Sequence, residues 1–386
     1  MRPGVGRGAF NASRSSQKAK PIEVMVVDDS AIVRGLLTRT LESDGEITVS
    51  ASVGDGKMAI NSLKRRPVDV VVLDIEMPVM DGLTALPKLL EINKDLTVIV
   101  ASTLTHKNAE ISLKCMALGA ADYLAKPDTR DLHTADSFKR DLVEKVKALG
   151  RTAQGRTKRR HSPTFAARSF TSSSAMPVRT PANSTSALRA GLEQARSPKA
   201  IAIGSSTGGP QALFEVLGNL KGVKQPIFVT QHMPPKFTEI LAGHIRQHCG
   251  IDCVEVKDGD AVQPGVVHLA PGDWHMGIEQ TGTGAVIRLS QSEPENYCRP
   301  AVDYMVRSLD KVYGKTLALA ILTGMGSDGA KGVEMVAESN GVAIAQDEDS
   351  SVVWGMPKAA AATGKCQAIL PLNKIGPKLR ELAQRL

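Results

Sequence analysis

Residues 24–30 read V-M-V-V-D-D-S, an apolar run that stops abruptly on two carboxylates. The run begins at Ile22, and four more apolar runs follow at Ile47–Val53, Val68–Leu73, Leu96–Ala101 and Ala120–Ala125. Between them, stretches such as Ala31–Leu41 and Ile111–Leu118 carry apolar residues at helical spacing. Near-continuous apolar strands alternating with helices predict a parallel sheet covered on both faces. In such sheets chemistry collects at the carboxyl ends of the strands.

The polar residues fall at those ends. Asp28 and Asp29 follow the first run, Asp74 the third, Ser102 and Thr103 the fourth, and Lys126-Pro127 the fifth. Three carboxylates on one rim form a hard-oxygen site suited to Mg²⁺, which keeps waters and an open position for phosphate. A lysine and a hydroxyl on the same rim could hold phosphoryl oxygens.

The quoted heptamer, with V-V-V-L-D-I-E-M-P-V-M-D-G at 70–82, V-A-S-T at 100–103 and Y-L-A-K-P at 123–127, resembles the receiver domain of two-component response regulators over residues 21–145. The resemblance implies a flavodoxin-like fold, Asp74 as phosphoacceptor, and Asp28, Asp29 and Asp74 around Mg²⁺. It further implies Lys126 on the phosphoryl group, Ser102 as switch hydroxyl and Tyr123 as switch aromatic.

Residues 146–198 are rich in Ser, Thr, Arg and Pro and read as a flexible linker, as residues 1–20 read as a basic tail. Charge supports that division. The tail holds five Lys/Arg and no acid, and residues 150–199 hold ten against Glu193 alone. These segments contribute +14 against a chain total of +8, so the remainder sums to −6. The basic balance belongs to tethers rather than to a folded surface, and no nucleic-acid partner is expected. No apolar run reaches the ~18 residues a membrane span needs, and the N-terminus has no signal-like apolar segment. These features favour the cytoplasm. The five scattered cysteines read as reduced structural thiols, not a zinc site.

From about residue 199 the alternation resumes, with strands at Ala200–Ile203, Ile227–Thr230, Val266–Ala270, Leu317–Leu322 and Val342–Ala345. Helical patterns fall at Gln211–Leu220, Phe237–His248 and Ala301–Val312, predicting a second doubly wound α/β domain. After its first strand stands G-S-S-T-G-G-P, residues 204–210, a G-x-S-x-G match centred on Ser206. Such a turn can expose a nucleophilic hydroxyl beside helix N–H groups, or it can cradle a phosphate. Two other strand ends bear on that choice. Ile227–Thr230 runs into Gln231-His232, and Leu317–Leu322 into T-G-M-G-S-D-G with Asp328. Ser206, His232 and Asp328 can then converge as nucleophile, base and orienter, in a chain order unlike that of the α/β-hydrolases. Ser205 is the rival nucleophile, expected to point to the other face of the turn. Asp273, Asp303, His268 and His275 are rival acids and bases. Asp303 falls inside a helical pattern and is expected to cap or to form a salt bridge, and His244 and His248 to lie on a helix surface.

These motifs, with T-Q-H-M-P-P-K-F at 230–237, H-L-A-P-G-D-W-H-M at 268–276, R-P-A-V-D at 299–303 and W-G-M-P-K-A-A at 354–360, resemble the catalytic domain of CheB-type protein-glutamate methylesterases over 199–386. The resemblance implies a Rossmann-like domain that removes methyl groups from glutamate esters on methyl-accepting chemoreceptors and deamidates receptor glutamines, with no cofactor of its own. It implies activation by a chemotaxis histidine kinase acting on Asp74, with the receiver covering the catalytic rim until then. It assigns Met325 to the oxyanion hole through its backbone N–H and sets Thr207 beside the nucleophile. Two departures stand out: the family more often has Ala at the position of Ser205, and the linker here is longer and more basic.

Overall fold

The computed structural model describes residues 20–103, 105–126, 132–161, 197–282 and 284–385. The tail up to residue 19, residues 162–196 of the expected linker, and Pro127 lie outside the described residues.

The first unit runs β1 (Ile22–Val27), α1 (Ala31–Glu42), β2 (Ile47–Val53), α2 (Gly56–Arg65), β3 (Val70–Asp74), α3 (Gly82–Ile92), β4 (Thr97–Thr103), α4 (His106–Ala117), β5 (Asp122–Lys126) and α5 (Leu132–His161). Its five strands pair in parallel in the order β2-β1-β3-β4-β5. β1 is the switch point of that order, where such sheets open a crevice at their carboxyl ends. Polar residues start the helices that leave this rim: Ser30, Asp55, Asp81 and Thr105 each accept from a first-turn N–H. The strands β3, β4 and β5 end later than the apolar runs suggest. Asp74, Ser102 and Lys126 are therefore strand residues held by the ladder, not loop residues beyond it.

The stretch read as linker from residue 146 is corrected over its first part, because α5 continues to His161. Phe138, Leu142, Val146, Leu149 and Ala153 are buried at helical spacing, and Gly150 lies so close to Ile22 that a Cβ would collide with it. Gln154 Nε2 donates to the Pro21 carbonyl and to Asp69. The apolar stripe through Ala153 was hidden by the basic residues beside it.

The second unit runs β6 (Ala200–Ser205), α6 (Gly209–Gly218), β7 (Ile227–Gln231), α7 (Phe237–Cys249), β8 (Cys253–Glu255), β9 (Val267–Leu269), β10 (His275–Thr281), β11 (Gly284–Ser290), α8 (Val302–Tyr313), β12 (Leu317–Ile321), α9 (Ala330–Glu338), β13 (Val342–Gln346), α10 (Met356–Ala362), β14 (Ala368–Leu370) and α11 (Leu372–Ala383). Seven strands form a parallel sheet in the order β14-β13-β12-β6-β7-β9-β8, and β10 with β11 makes a separate antiparallel hairpin. β6 is the switch point, flanked by β12 and β7. The carboxyl ends of these three central strands carry Ser206, Asp328 and His232.

The two units meet through α4 and β5 of the first and the rim of the second. Tyr123 stacks on Phe237 with ring centroids 4.6 Å apart, and one apolar core runs on through this contact. Gln211 Nε2 donates to the carbonyls of Met116 and Ala120.

Candidate active site

The turn after β6 is built to present one hydroxyl. Gly209 N donates to the Ser206 carbonyl at 2.7 Å, and Gly208 between them has φ 75° and ψ 2°. These are the angles of the third position in a type II turn, which favours glycine. The left-handed residue is thus Gly208, two past the serine, not the serine itself. Gly324, after β12, has no room for a side chain: a Cβ there would meet Ser206 Cβ at 2.8 Å.

Ser205, Ser206 and Thr207 divide by burial. Ser205 is buried, and its Oγ donates to Gln231 Oε1 at 2.7 Å. Gln231 Nε2 in turn donates to the carbonyls of Ser206 and His232. The Ser205 hydroxyl therefore supports the sheet side of the turn. Ser206 is half-buried and faces a cleft of about 910 Å³ that His232, Met325 and Cys298 also line. Thr207 is buried, and its Oγ1 donates across the interface to Asp122 Oδ2 at 2.8 Å.

His232 Nε2 lies 2.8 Å from Asp328 Oδ2. An ionised carboxylate only accepts, so Nε2 carries a proton, and in the neutral imidazole Nδ1 presents the lone pair. Asp328 accepts further from the N–H groups of Val302 (2.6 Å), Asp303 (3.1 Å) and Gly329 (3.0 Å). Val302 and Asp303 open α8, so the carboxylate sits at a helix N-terminus, where the backbone dipoles favour negative charge. Burial alone pushes the Asp328 carboxyl upward. The His232 hydrogen bond and charge and the two α8 N–H groups outweigh it and hold Asp328 below the usual carboxylate range. Burial also opposes a proton on His232, but the Cys298 sulfur and then Asp328 overcome it, and His232 is raised to about 10.

Two participants gave no signal in the sequence. Asn296 Nδ2 donates to Asp328 Oδ1 at 2.8 Å, and Cys298 Sγ lies 3.4 Å from His232 Nδ1. Both belong to a tight turn closed by Glu295 and Cys298. No strand or helix announces that turn, although it lies just before the R-P-A-V-D stretch. The rivals make other bonds. Asp303 is buried and accepts from Gly332 N, in the first turn of α9. Burial and the charge of Asp328 raise it to about 6. Asp273 pairs with Arg299. His275 accepts from Ala301 N and stacks on Tyr304, and His268 is buried against Phe228. On α7, His244 is half-buried and His248 exposed.

On the rim of the first sheet, one ligand atom from each of Asp28, Asp29 and Asp74 lies within 4.8 Å of the others. Lys126 Nζ is 2.7 Å from both Asp28 Oδ2 and Asp74 Oδ1. Burial raises the Asp74 carboxyl above its ordinary value despite that lysine. An all-oxygen set with two buried carboxylates fits a hard divalent cation. Ser102 Oγ bonds Ser112 Oγ at 2.8 Å in α4, and Tyr123 lies buried in the interface against Phe237. Among the described residues, no helix is long and apolar enough to cross a membrane.

The chain matches the family model described as CheB methylesterase over residues 201–379 and that of the response regulator receiver domain over 24–135. It is 52% identical over 386 residues to the protein-glutamate methylesterase/protein-glutamine glutaminase of group 2 operon of Rhodospirillum centenum, covering 98% of each chain. It is 55% identical to the protein-glutamate methylesterase/protein-glutamine glutaminase of Azospirillum brasilense, over 95% of this chain and 93% of that one. Among solved structures, the Thermotoga maritima CheB methylesterase catalytic domain is 42% identical, with a TM-score of 0.47, covering 48% of this chain and 99% of that one.

Proposed function

Because the chain belongs to the CheB protein-glutamate methylesterase family, with a receiver domain ahead of the catalytic one, we propose that Ser206 hydrolyses glutamate methyl esters on chemoreceptors under control of phosphorylation at Asp74. The observation that carries the catalytic part is the His232–Asp328 pair standing with the half-buried Ser206 on one cleft. His232 Nδ1 takes the Ser206 proton as Oγ bonds the ester carbonyl carbon. The proton then passes to the departing methoxide, methanol leaves, and a glutamyl ester remains on Ser206. Water attacks this ester, His232 takes the water proton and returns it to Ser206 Oγ, and glutamate is freed. With a receptor glutamine, ammonia leaves in place of methanol. The backbone N–H of Met325 stabilises the oxyanion, and Asp328 fixes the tautomer that leaves Nδ1 as the base. A positioned base contributes about 10²–10⁴-fold and an oxyanion donor about 10²–10³-fold.

Regulation rests on the cleft having walls from both units. Tyr123, Arg140 and Lys145 face Ser206 and His232 across it, and Asp122 holds Thr207. A receptor segment reaches Ser206 only if that wall moves. Asp28, Asp29 and Asp74 would hold Mg²⁺, which neutralises charge between a carboxylate and an incoming phosphoryl group. Lys126 pairs with the phosphoryl oxygens, and a histidine kinase is the phosphodonor. Phosphate adds roughly two charges, which Ser102 and Tyr123 transmit to the β5 face. The catalytic domain takes up 199–386 and needs no cofactor. Ser206→Ala should remove methanol release from methylated receptor membranes while thermal unfolding stays unchanged. Release within tenfold of the parent would exclude Ser206 as nucleophile.

A further inference from the structure

The buried carboxylates of Asp328 and Asp303 face a common donor. Asn296 Nδ2 donates to Asp328 Oδ1 at 2.8 Å and to Asp303 Oδ2 at 3.0 Å. The other Asp303 oxygen is taken by Gly332 N, and the other Asp328 oxygen by His232 and Val302 N. The two acids are adjacent in space, since Asp303 N itself donates to Asp328. Two like charges that share a buried site repel, and each favours taking up a proton. A single amide that donates to both reduces that repulsion without adding charge.

The backbone is set for this. Asn296 has φ 52° and Tyr297 φ 63°, consecutive left-handed residues in the turn closed by Glu295 and Cys298. Asparagine tolerates that conformation, whereas tyrosine is disfavoured there. Left-handed non-glycine residues persist where surrounding contacts fix them. Here the fixing contacts are the Glu295–Cys298 backbone pair and the bonds Asn296 makes to the carboxylates. Asn296 as a residue is exposed, so only its amide reaches inward and its replacement opens no core cavity.

We propose that Asn296 is a positioning residue that bridges Asp328 and Asp303, keeps both ionised and so holds Asp328 aligned on His232. The inference rests on the Ser206–His232–Asp328 reading above. Three variants of the full chain test it. Asn296→Gly keeps the left-handed turn and removes the donor. Asn296→Asp keeps shape and turn preference but exchanges the donor for a third carboxylate. Asn296→Ser keeps one shorter donor. Methanol release from methylated receptor membranes is expected to fall about tenfold in kcat for Asn296→Gly, the worth of a hydrogen bond to a charged group, with KM nearly unchanged. Asn296→Asp should fall further at pH 8 and recover toward the parent as pH falls and the cluster takes up a proton. Asn296→Ser should lie between Gly and the parent.

Thermal unfolding supplies the arm that is independent of activity. A carboxyl with a raised folded-state pKa stabilises only while protonated, so the Tm deficit of Asn296→Asp should grow from about pH 5 to pH 8. Asn296→Asp matching the parent in kcat and Tm across that range would overturn the proposal. The expected Tm pattern in a chain whose methanol release ignores Ser206 would leave the bridge standing and overturn the esterase reading instead.

Discussion

Replacing Asp328 by asparagine removes one charge and few atoms, yet no orientation of the new amide satisfies the site. Oδ1 receives Asn296 Nδ2, Asp303 N and Gly329 N, and Oδ2 receives His232 Nε2 and Val302 N. Turning the new amide's oxygen toward the first group places its NH₂ against Val302 N–H, two donors face to face. Turning it the other way sets the NH₂ against three donors. The first is the lesser loss, one stranded backbone N–H, at about 1–3 kcal/mol. For a domain of this size that lowers Tm by roughly 2–4 °C per kcal/mol. The catalytic effect is larger. Facing an NH₂, Nε2 must accept, the proton moves to Nδ1, and the cleft loses its base. The same exchange in the serine-protease triad lowers kcat by about 10⁴. Methanol release and calorimetry on Asp328→Asn should show both effects. A variant within about tenfold of the parent in kcat would refute the assignment of Nδ1 as the base nitrogen and Asp328 as its orienter.

Two further outcomes follow from neighbouring residues. Ser205→Ala should leave methanol release within a few-fold of the parent, because that hydroxyl is spent on Gln231. Unfolding should lose about 1–3 kcal/mol for the stranded Gln231 acceptor, and a collapse of kcat with unchanged stability would make Ser205 the nucleophile. Cys298→Ala bears on pH. His232 is raised to about 10 chiefly against burial by the Cys298 sulfur and then Asp328, and the base must be neutral to act. Removing the sulfur lowers the imidazole pKa, so the acid limb of kcat/KM should move to lower pH, by about one unit for each 1.36 kcal/mol of interaction lost. An unmoved limb would show that the Cys298 sulfur does not hold the imidazole pKa up.

Much of this was legible in the sequence for one physical reason. Parallel strands buried on both faces are apolar throughout, so the polar residue at each strand end stands out. Asp28, Asp74, Lys126, Ser206, His232 and Asp328 could all be read that way. What escaped lacked that contrast. The hairpin β10–β11 and the short strands β8 and β14 carry little apolar periodicity. The extension of α5 past residue 146 is apolar only along one stripe, at Val146, Leu149 and Ala153. Asn296 and Cys298 sit on a turn whose position over the rim depends on where α8 begins, a tertiary fact. The interface bond from Thr207 to Asp122 joins residues 85 positions apart, and nothing local to either predicts it.

If Ser206 is a methylesterase nucleophile held in check by the receiver, methanol release by the full chain from methylated receptor membranes, with and without Mg²⁺ and acetyl phosphate, reads it directly. Release should be slow and rise with the phosphodonor in the parent, stay slow in Asp74→Asn, and vanish in Ser206→Ala under both conditions. Equal release with and without phosphodonor, at a rate Asp74→Asn shares, would contradict it.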